Sequence, residues 1–156
     1  MTALRIAFEA TPDPNDLETL GRALGGFNQA QAGPDGFERL FVSARDLDGR
    51  LHGGLIGATY WGWLFIDLLF VFADVRGQGS GSALLMRAEH FALERHATRV
   101  FLDTFSFQAE DFYRRRGYCE FGALDDFPQG HRRVWMTKVL TPASKEVARS
   151  RETIGR

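Results

Sequence analysis

Residues Trp63 to His96 read WLFIDLLFVFADVRGQGSGSALLMRAEHFALERH. An apolar run from Leu64 to Phe72 leads into a glycine-rich turn and then into a segment of helical period, the pattern of a buried strand feeding a helix. Between Arg76 and Ser82, the glycines Gly77, Gly79 and Gly81 allow backbone conformations closed to other residues and let a ligand come close to the main chain. The unbonded N–H groups at the start of the following helix, with the helix dipole, favour an anion there. The stretch reads as a cradle for phosphate.

The turn also says which phosphate ligands do not fit. A nucleotide P-loop ends in Gly-Lys followed by Ser or Thr, whereas Gly81 is followed by Ser82 and Ala83. A dinucleotide fingerprint begun at Gly77 and Gly79 meets Ser82 where its third glycine belongs. The run Arg76-Gly77-Gln78-Gly79-Ser80-Gly81 instead resembles the Arg/Gln-x-x-Gly-x-Gly/Ala pyrophosphate loop of the GNAT family of acetyl-CoA-dependent N-acetyltransferases. A second segment, Ser106 to Tyr118, is similar to that family's Asn-x-x-Ala-x-x-x-Tyr-x-x-x-Gly-Phe/Tyr pattern, with Ser106 in place of the usual asparagine. With Pro128-Gln129-Gly130-His131, it also resembles a bacterial subgroup of small acetyltransferases.

Composition bounds the remaining choices. A chain of 156 residues predicts one domain, read here as residues 1–140, followed by a polar tail at 141–156 with almost no large apolar side chains. Lys and Arg total 19 against 20 Asp and Glu, so no basic field exists to hold nucleic acid or an anionic membrane. The lone Cys119 has no partner for an intrachain disulfide or a cysteine-based zinc site, so no metal is implied. The N-terminal residues lack the apolar stretch of a signal peptide, and no run has the roughly 18 apolar residues of a membrane span. The expectation is a soluble, cytoplasmic protein; a homodimer is compatible with it.

Taken in order, Ala3 to Phe8 predicts a first strand, and Asn15 with Glu18 a capping box for a helix to about Gln29 carrying Leu17, Leu20, Leu24 and Phe27. Phe37 to Arg45 and Leu51 to Tyr60 predict a hairpin that continues into the apolar strand. After the loop come a helix to about His96, a strand from Arg99 to Thr104, and a helix capped by Ser106 and ended at Gly117. Strands at Tyr118 to Ala123 and Arg132 to Val139 follow. The order β-α-β-β-β-α-β-α-β-β is an α/β arrangement with a mixed, mostly antiparallel sheet flanked by helices, and it resembles the GNAT fold.

The resemblance implies acetyl transfer from acetyl-CoA to a primary amine by direct attack, and it implies roles for particular residues. Acetyl-CoA would lie against Leu69, Phe70 and Val71, whose backbone N–H groups could hold the oxyanion, and against Arg76, Gly77, Gln78, Gly79, Ser80, Gly81 and Ser82. Arg114, Arg115 and Arg116 suit a helix C-terminus without any ligand, and Arg115 is the candidate for the cofactor's 3′-phosphate. Asp67 is a carboxylate inside an apolar strand; an aspartate is a weak base at neutral pH, so it would act through water or orient the ammonium. Tyr113 matches the tyrosine placed to protonate the departing thiolate, against the alternative of a core tyrosine. Asp103 and His131 are secondary candidates. Trp61, Trp63, Phe105, Phe107 and Trp135 could line a pocket for a small-molecule amine. A peptide acceptor, or a non-catalytic acyl-CoA-binding domain, remains the alternative.

Overall fold

The computed structural model describes residues 3–142, which fall into two compact units divided between Asp35 and Gly36. In the first, helix α1 spans Pro14–Ala32. It starts earlier than the Asn15–Glu18 pattern suggests, because Asp13 is the N-cap: its carboxylate accepts the Asn15 N–H at 2.9 Å, and Pro14 occupies the first turn, where its missing N–H costs nothing. Residues 3–8 form no strand. Alternation predicts which side chains would share a face, but a strand exists only through a hydrogen-bonded ladder, and these residues join none.

The second unit is a six-stranded sheet in the order β1-β2-β3-β4-β6-β5. Strands β1 (Glu38–Arg45), β2 (Leu51–Tyr60) and β3 (Trp63–Val71) form an antiparallel meander. A single 3-10 turn, Ala73–Val75, and the glycine-rich loop then lead to α2 (Ser80–Glu94), whose chain returns as β4 (Arg99–Phe105), parallel to β3. The short helix α3 (Glu110–Arg114) precedes β5 (Cys119–Asp125) and β6 (Arg132–Val139), which close the sheet antiparallel to one another, with β6 also antiparallel to β4. The mixed sheet flanked by helices is the expected architecture, built with six strands among the described residues. Of the polar tail, residues 143–156 lie outside the described residues.

One face of the sheet carries the core. Leu55, Leu64, Val100, Leu102, Val134 and Met136 point inward from their strands, and α2 lays Leu84, Leu85, Ala88 and Ala92 among them. Truncating a fully buried member such as Leu85 to alanine removes about 2–5 kcal/mol of stability. Tyr118 belongs to this core: its hydroxyl donates to Glu89 at 2.8 Å, and Lys138 donates to the same carboxylate at 2.8 and 2.9 Å.

Two irregularities position the functional site. The register between β2 and β3 slips between Ile56 and Gly57, so that Asp67 is the extra residue of a bulge. The β3–β4 ladder ends at the pair Ile66 and Leu102, although both strands continue. Beyond that pair they part, and a cleft opens between them.

Candidate active site

The cleft has a volume of about 1210 Å³. One wall is β3 from Ile66 to Val71, the floor is the loop and first turn of α2, and the other wall is Asp103 to Tyr113. Of the residues singled out in the sequence, Asp67, Leu69, Phe70, Val71, Arg76, Gly77, Gly79, Ser80, Gly81, Ser82, Tyr113 and Arg115 all line it. Gln78 does not line it; its side chain turns back towards the Asp74 carbonyl at 3.5 Å.

The backbone of β3 presents donors to this space. The N–H of Phe72 donates to the His52 carbonyl of β2 at 2.9 Å. Because N–H groups alternate sides along a strand, those of Phe70 and Leu68 also face β2, and those of Leu69 and Val71 face the gap left by β4. The Val71 carbonyl points the same way and accepts from Arg76 Nε at 2.8 Å, which fixes the arginine that opens the loop.

At the loop, Gly77 and Gly79 have φ of 78° and 88°, the left-handed region where a side chain is strained. Gly79 is the N-cap of α2 and brings no capping side chain, so the first-turn N–H groups of this 15-residue helix stay available to a ligand. Gly81 differs: its φ is not in the left-handed region, and a Cβ there would sit in tight contact with the Phe112 ring at 3.3 Å.

The three consecutive arginines divide by their partners. Arg114 is held by Glu110 at 2.5 Å and Glu120 at 2.8 Å. Arg116 lies over the Phe112 ring, 3.6 Å from its centroid, donates to the Phe112 carbonyl at 2.7 Å and binds the Ser82 hydroxyl, so it joins α3 to the start of α2. Burial, and then the neighbouring charge of Arg115, push Arg116 below the usual arginine range. The Arg115 side chain lines the cleft and forms no ion pair among the described residues. Two cations that disfavour each other beside a row of helix N–H groups suit a polyanion.

Tyr113 is only 5% exposed, and burial pushes its hydroxyl up to about 12, with Arg116 drawing it down and Asp103 adding to the rise. Unlike Tyr118, it makes no side-chain hydrogen bond among the described residues, and its ring borders the cleft. Asp67 is exposed at the bulge and likewise forms no ion pair among the described residues.

Several expectations are corrected. Ser106 does not cap α3; it exchanges main-chain and side-chain bonds with Arg132 at 2.9 and 3.1 Å, pinning the end of β4 to the start of β6. The N-cap of α3 is Ala109, whose N–H is received by Thr104 Oγ1 at 3.4 Å. Trp61 and Trp63 line a separate cavity of about 360 Å³ with Tyr60 and Phe101 and do not face Asp67. Phe105 and Phe107 do line the main cleft, stacked with centroids 5.3 Å apart. His131 packs edge-on against Phe107 outside the lining. Asp103 is bound by Arg133 at 2.6 Å, and that guanidinium is surrounded by Phe105, Phe127 and Trp135 at 5.3–5.5 Å. Arg133 was not legible in advance, because only the β4–β6 register, which places Phe105 opposite Arg133, brings it to the cleft.

No helix among the described residues is long and apolar enough to cross a membrane, and no group of three His, Cys, Asp or Glu among them is placed to hold a metal ion. Acetyltransferase Atu2258 of Agrobacterium fabrum is 35% identical over 112 residues, 72% of this chain and 82% of that protein. Blasticidin-S acetyltransferase of Streptomyces morookaense is 45% identical over 83 residues, 53% of this chain and 61% of that protein. A crystal structure of an acetyltransferase from Agrobacterium tumefaciens superposes with a TM-score of 0.82 at 30% identity, covering 87% of this chain and 99% of that one. Residues 4–118 match the family described as Acetyltransferase (GNAT) family. A split parallel strand pair over a glycine loop, and these sequence matches, lead to one assignment: the chain belongs to the GNAT acetyltransferase family.

Proposed function

We propose that the chain transfers the acetyl group of acetyl-CoA to the primary amine of a small-molecule acceptor by direct attack, in one ternary complex. The observation that carries this reading is the cleft beyond Ile66 and Leu102, which has free strand N–H groups on one wall and an uncapped helix N-terminus at its base. The pantetheine arm lies along β3 as an added strand would, the pyrophosphate rests on the loop from Arg76 to Ser82, and Arg115 reaches the 3′-phosphate. No metal is needed for this chemistry.

Of the residues that line the cleft, Arg76, Arg115 and Arg116 take the cofactor's phosphates in this reading, and Asp67, Phe105 and Phe107 take the acceptor. Asp67 attracts the acceptor as an ammonium and, directly or through a water, takes the proton that must leave before the nitrogen lone pair attacks. As the tetrahedral intermediate forms, its oxyanion accepts from the N–H groups of Leu69 and Val71, donors already fixed by the sheet. The C–S bond then breaks, and Tyr113 donates a hydrogen bond to the developing thiolate.

A small acceptor is supported by the relative named as a blasticidin-S acetyltransferase and by the stacked aromatic pair Phe105 and Phe107 on the cleft wall. The test is an acceptor screen that follows free thiol released from acetyl-CoA, with blasticidin S, other small cationic amines, and lysine- and α-amine-bearing peptides. Turnover concentrated among small amines is expected. Turnover with peptides alone would overturn the acceptor class, and CoA binding with no turnover on any amine would favour a binding domain.

A further inference from the structure

The loop that carries the cofactor's phosphates is attached to the sheet by a histidine two elements away. The His52 carbonyl on β2 receives the Phe72 N–H at 2.9 Å, just before the 3-10 turn. Its ring reaches in two other directions. Nε2 lies 2.8 Å from Oδ2 of Asp46 in the β1–β2 turn, and Nδ1 lies 3.3 Å from Oδ2 of Asp74 in the 3-10 turn, two residues ahead of Arg76. The ring is 17% exposed.

Asp46 is a fixed post. Its Oδ1 accepts the N–H groups of Asp48 at 3.0 Å and Arg50 at 2.9 Å, and the bond from His52, followed by that from Arg50, holds its carboxyl below the usual aspartate range. Asp74 has fewer ties. Its side chain is 53% exposed, and His52 is the ion-pair partner it has among the described residues. The Asp74 carbonyl in turn faces the Gln78 amide at 3.5 Å, so the contact bears directly on the loop. Among the described residues, Asp46 and Asp74 are the titratable groups that pair with His52.

A carboxylate only accepts hydrogen bonds. Of the two contacts, that of Nε2 with Asp46 is a hydrogen bond and that of Nδ1 with Asp74 is an ion-pair approach, so the imidazolium, with its charge and a proton on each nitrogen, serves both carboxylates. A neutral ring serves one of them and turns a lone pair on the other. We propose that His52 is a positioning residue for cofactor binding: as imidazolium it clamps Asp74, and with it the start of the Arg76–Ser82 loop, to the Asp46 turn, so that a pyrophosphate-bearing cofactor binds more tightly when His52 is protonated. This rests on the reading of the loop as the pyrophosphate site.

The test compares CoA with pantetheine, which lacks the pyrophosphate, by calorimetry on the wild-type chain, His52→Gln and Asp74→Asn. At pH 6 each variant should bind CoA about two- to fivefold more weakly, the range of a partly exposed ion pair, and pantetheine as the wild type does. The wild-type advantage over His52→Gln should be smaller at about pH 8 than at about pH 6, because loss of the ring's second proton releases Asp74; the variant also removes the titration of CoA's own phosphate from the comparison. Asp74→Asn alters an exposed side chain and leaves the hairpin intact, so it remains informative if His52→Gln folds poorly. Equal CoA affinity for wild type and both variants at every pH would overturn the proposal. So would an equal loss for pantetheine, which would make His52 a general support of the sheet. Absence of CoA binding by the wild-type chain would overturn the cofactor reading and this proposal with it.

Discussion

Replacing Tyr113 by phenylalanine removes one oxygen from the cleft wall and leaves the ring that packs against Phe112 and Tyr118. The size of the effect depends on how the hydroxyl acts. Burial pushes it up to about 12. A thiol comparable to cysteine has a pKa of about 8.5, so full proton transfer from Tyr113 to the thiolate runs about 3.5 pKa units uphill, or about 5 kcal/mol. The hydroxyl is thus suited to donating a hydrogen bond to the departing sulfur, while the proton itself comes from the acceptor's nitrogen through solvent. A neutral donor to a charged acceptor is worth about 1.5–3 kcal/mol, so kcat should fall by about 10- to 150-fold. CoA affinity and Tm should stay as they were, because the hydroxyl has no other partner among the described residues. Tyr118→Phe is the control: it takes a donor from Glu89 and should lower Tm by the cost of about 1–3 kcal/mol for a buried group left short of a partner, with kcat nearly unchanged. Steady-state kinetics with saturating acetyl-CoA, alongside thermal melts, decide the matter. Retained kcat in Tyr113→Phe would show that the thiolate leaves unaided, and a fall in kcat matched by a fall in Tm would show that the hydroxyl serves packing.

Three further outcomes are expected. Gly79→Val must place a β-branched residue at φ 88°, at a cost of about 1–2 kcal/mol, and its side chain occupies the space of the pyrophosphate; calorimetry should find CoA binding lost in a chain that still folds. Arg115→Ala should weaken CoA about tenfold, the effect of one charge-assisted hydrogen bond of 1.5–3 kcal/mol less solvent screening, and leave 3′-dephospho-CoA unaffected; an equal loss for both would place Arg115 elsewhere on the cofactor. Burial raises the Tyr113 hydroxyl from its ordinary value to about 12, so the native state favours its protonated form; the associated stability, on the order of 2–3 kcal/mol, is complete below about pH 10 and is lost as pH rises towards 12. Denaturant melts at pH 9 and pH 11.5 should show this loss in the wild type and a smaller one in Tyr113→Phe.

The parts of the site legible in the sequence are those encoded locally. Glycines at 77, 79 and 81 between an apolar run and a helical period specify a turn and an exposed helix N-terminus whatever surrounds them, and β2 and β6 span the residues read as strands from the sequence. What was not legible depends on neighbours distant in sequence. Nothing within residues 63–71 says that the parallel ladder stops at Ile66, or that Asp67 is a bulge residue, since both follow from the registers of β2 and β4. Ser106 has the right chemistry for a cap, yet β6 claims it through Arg132. Likewise, Glu110 and Glu120 determine that Arg114 is occupied, and Ser82 that Arg116 is, which leaves Arg115 for a ligand. Trp61 and Trp63 are close to Asp67 in sequence but lie near the other end of the same strand, lining a different cavity.

The central claim is that the gap between β3 and β4 holds the cofactor with its pyrophosphate on the loop. Backbone amide chemical shifts on titration with CoA test it residue by residue. The expected result is saturable perturbation concentrated at Leu69, Val71 and the amides from Gly77 to Ser82, with those of Leu68 and Phe70, which face β2, moving less. Saturable binding that leaves the loop amides unmoved, or that shifts residues around Tyr60 and Phe101 instead, would contradict it.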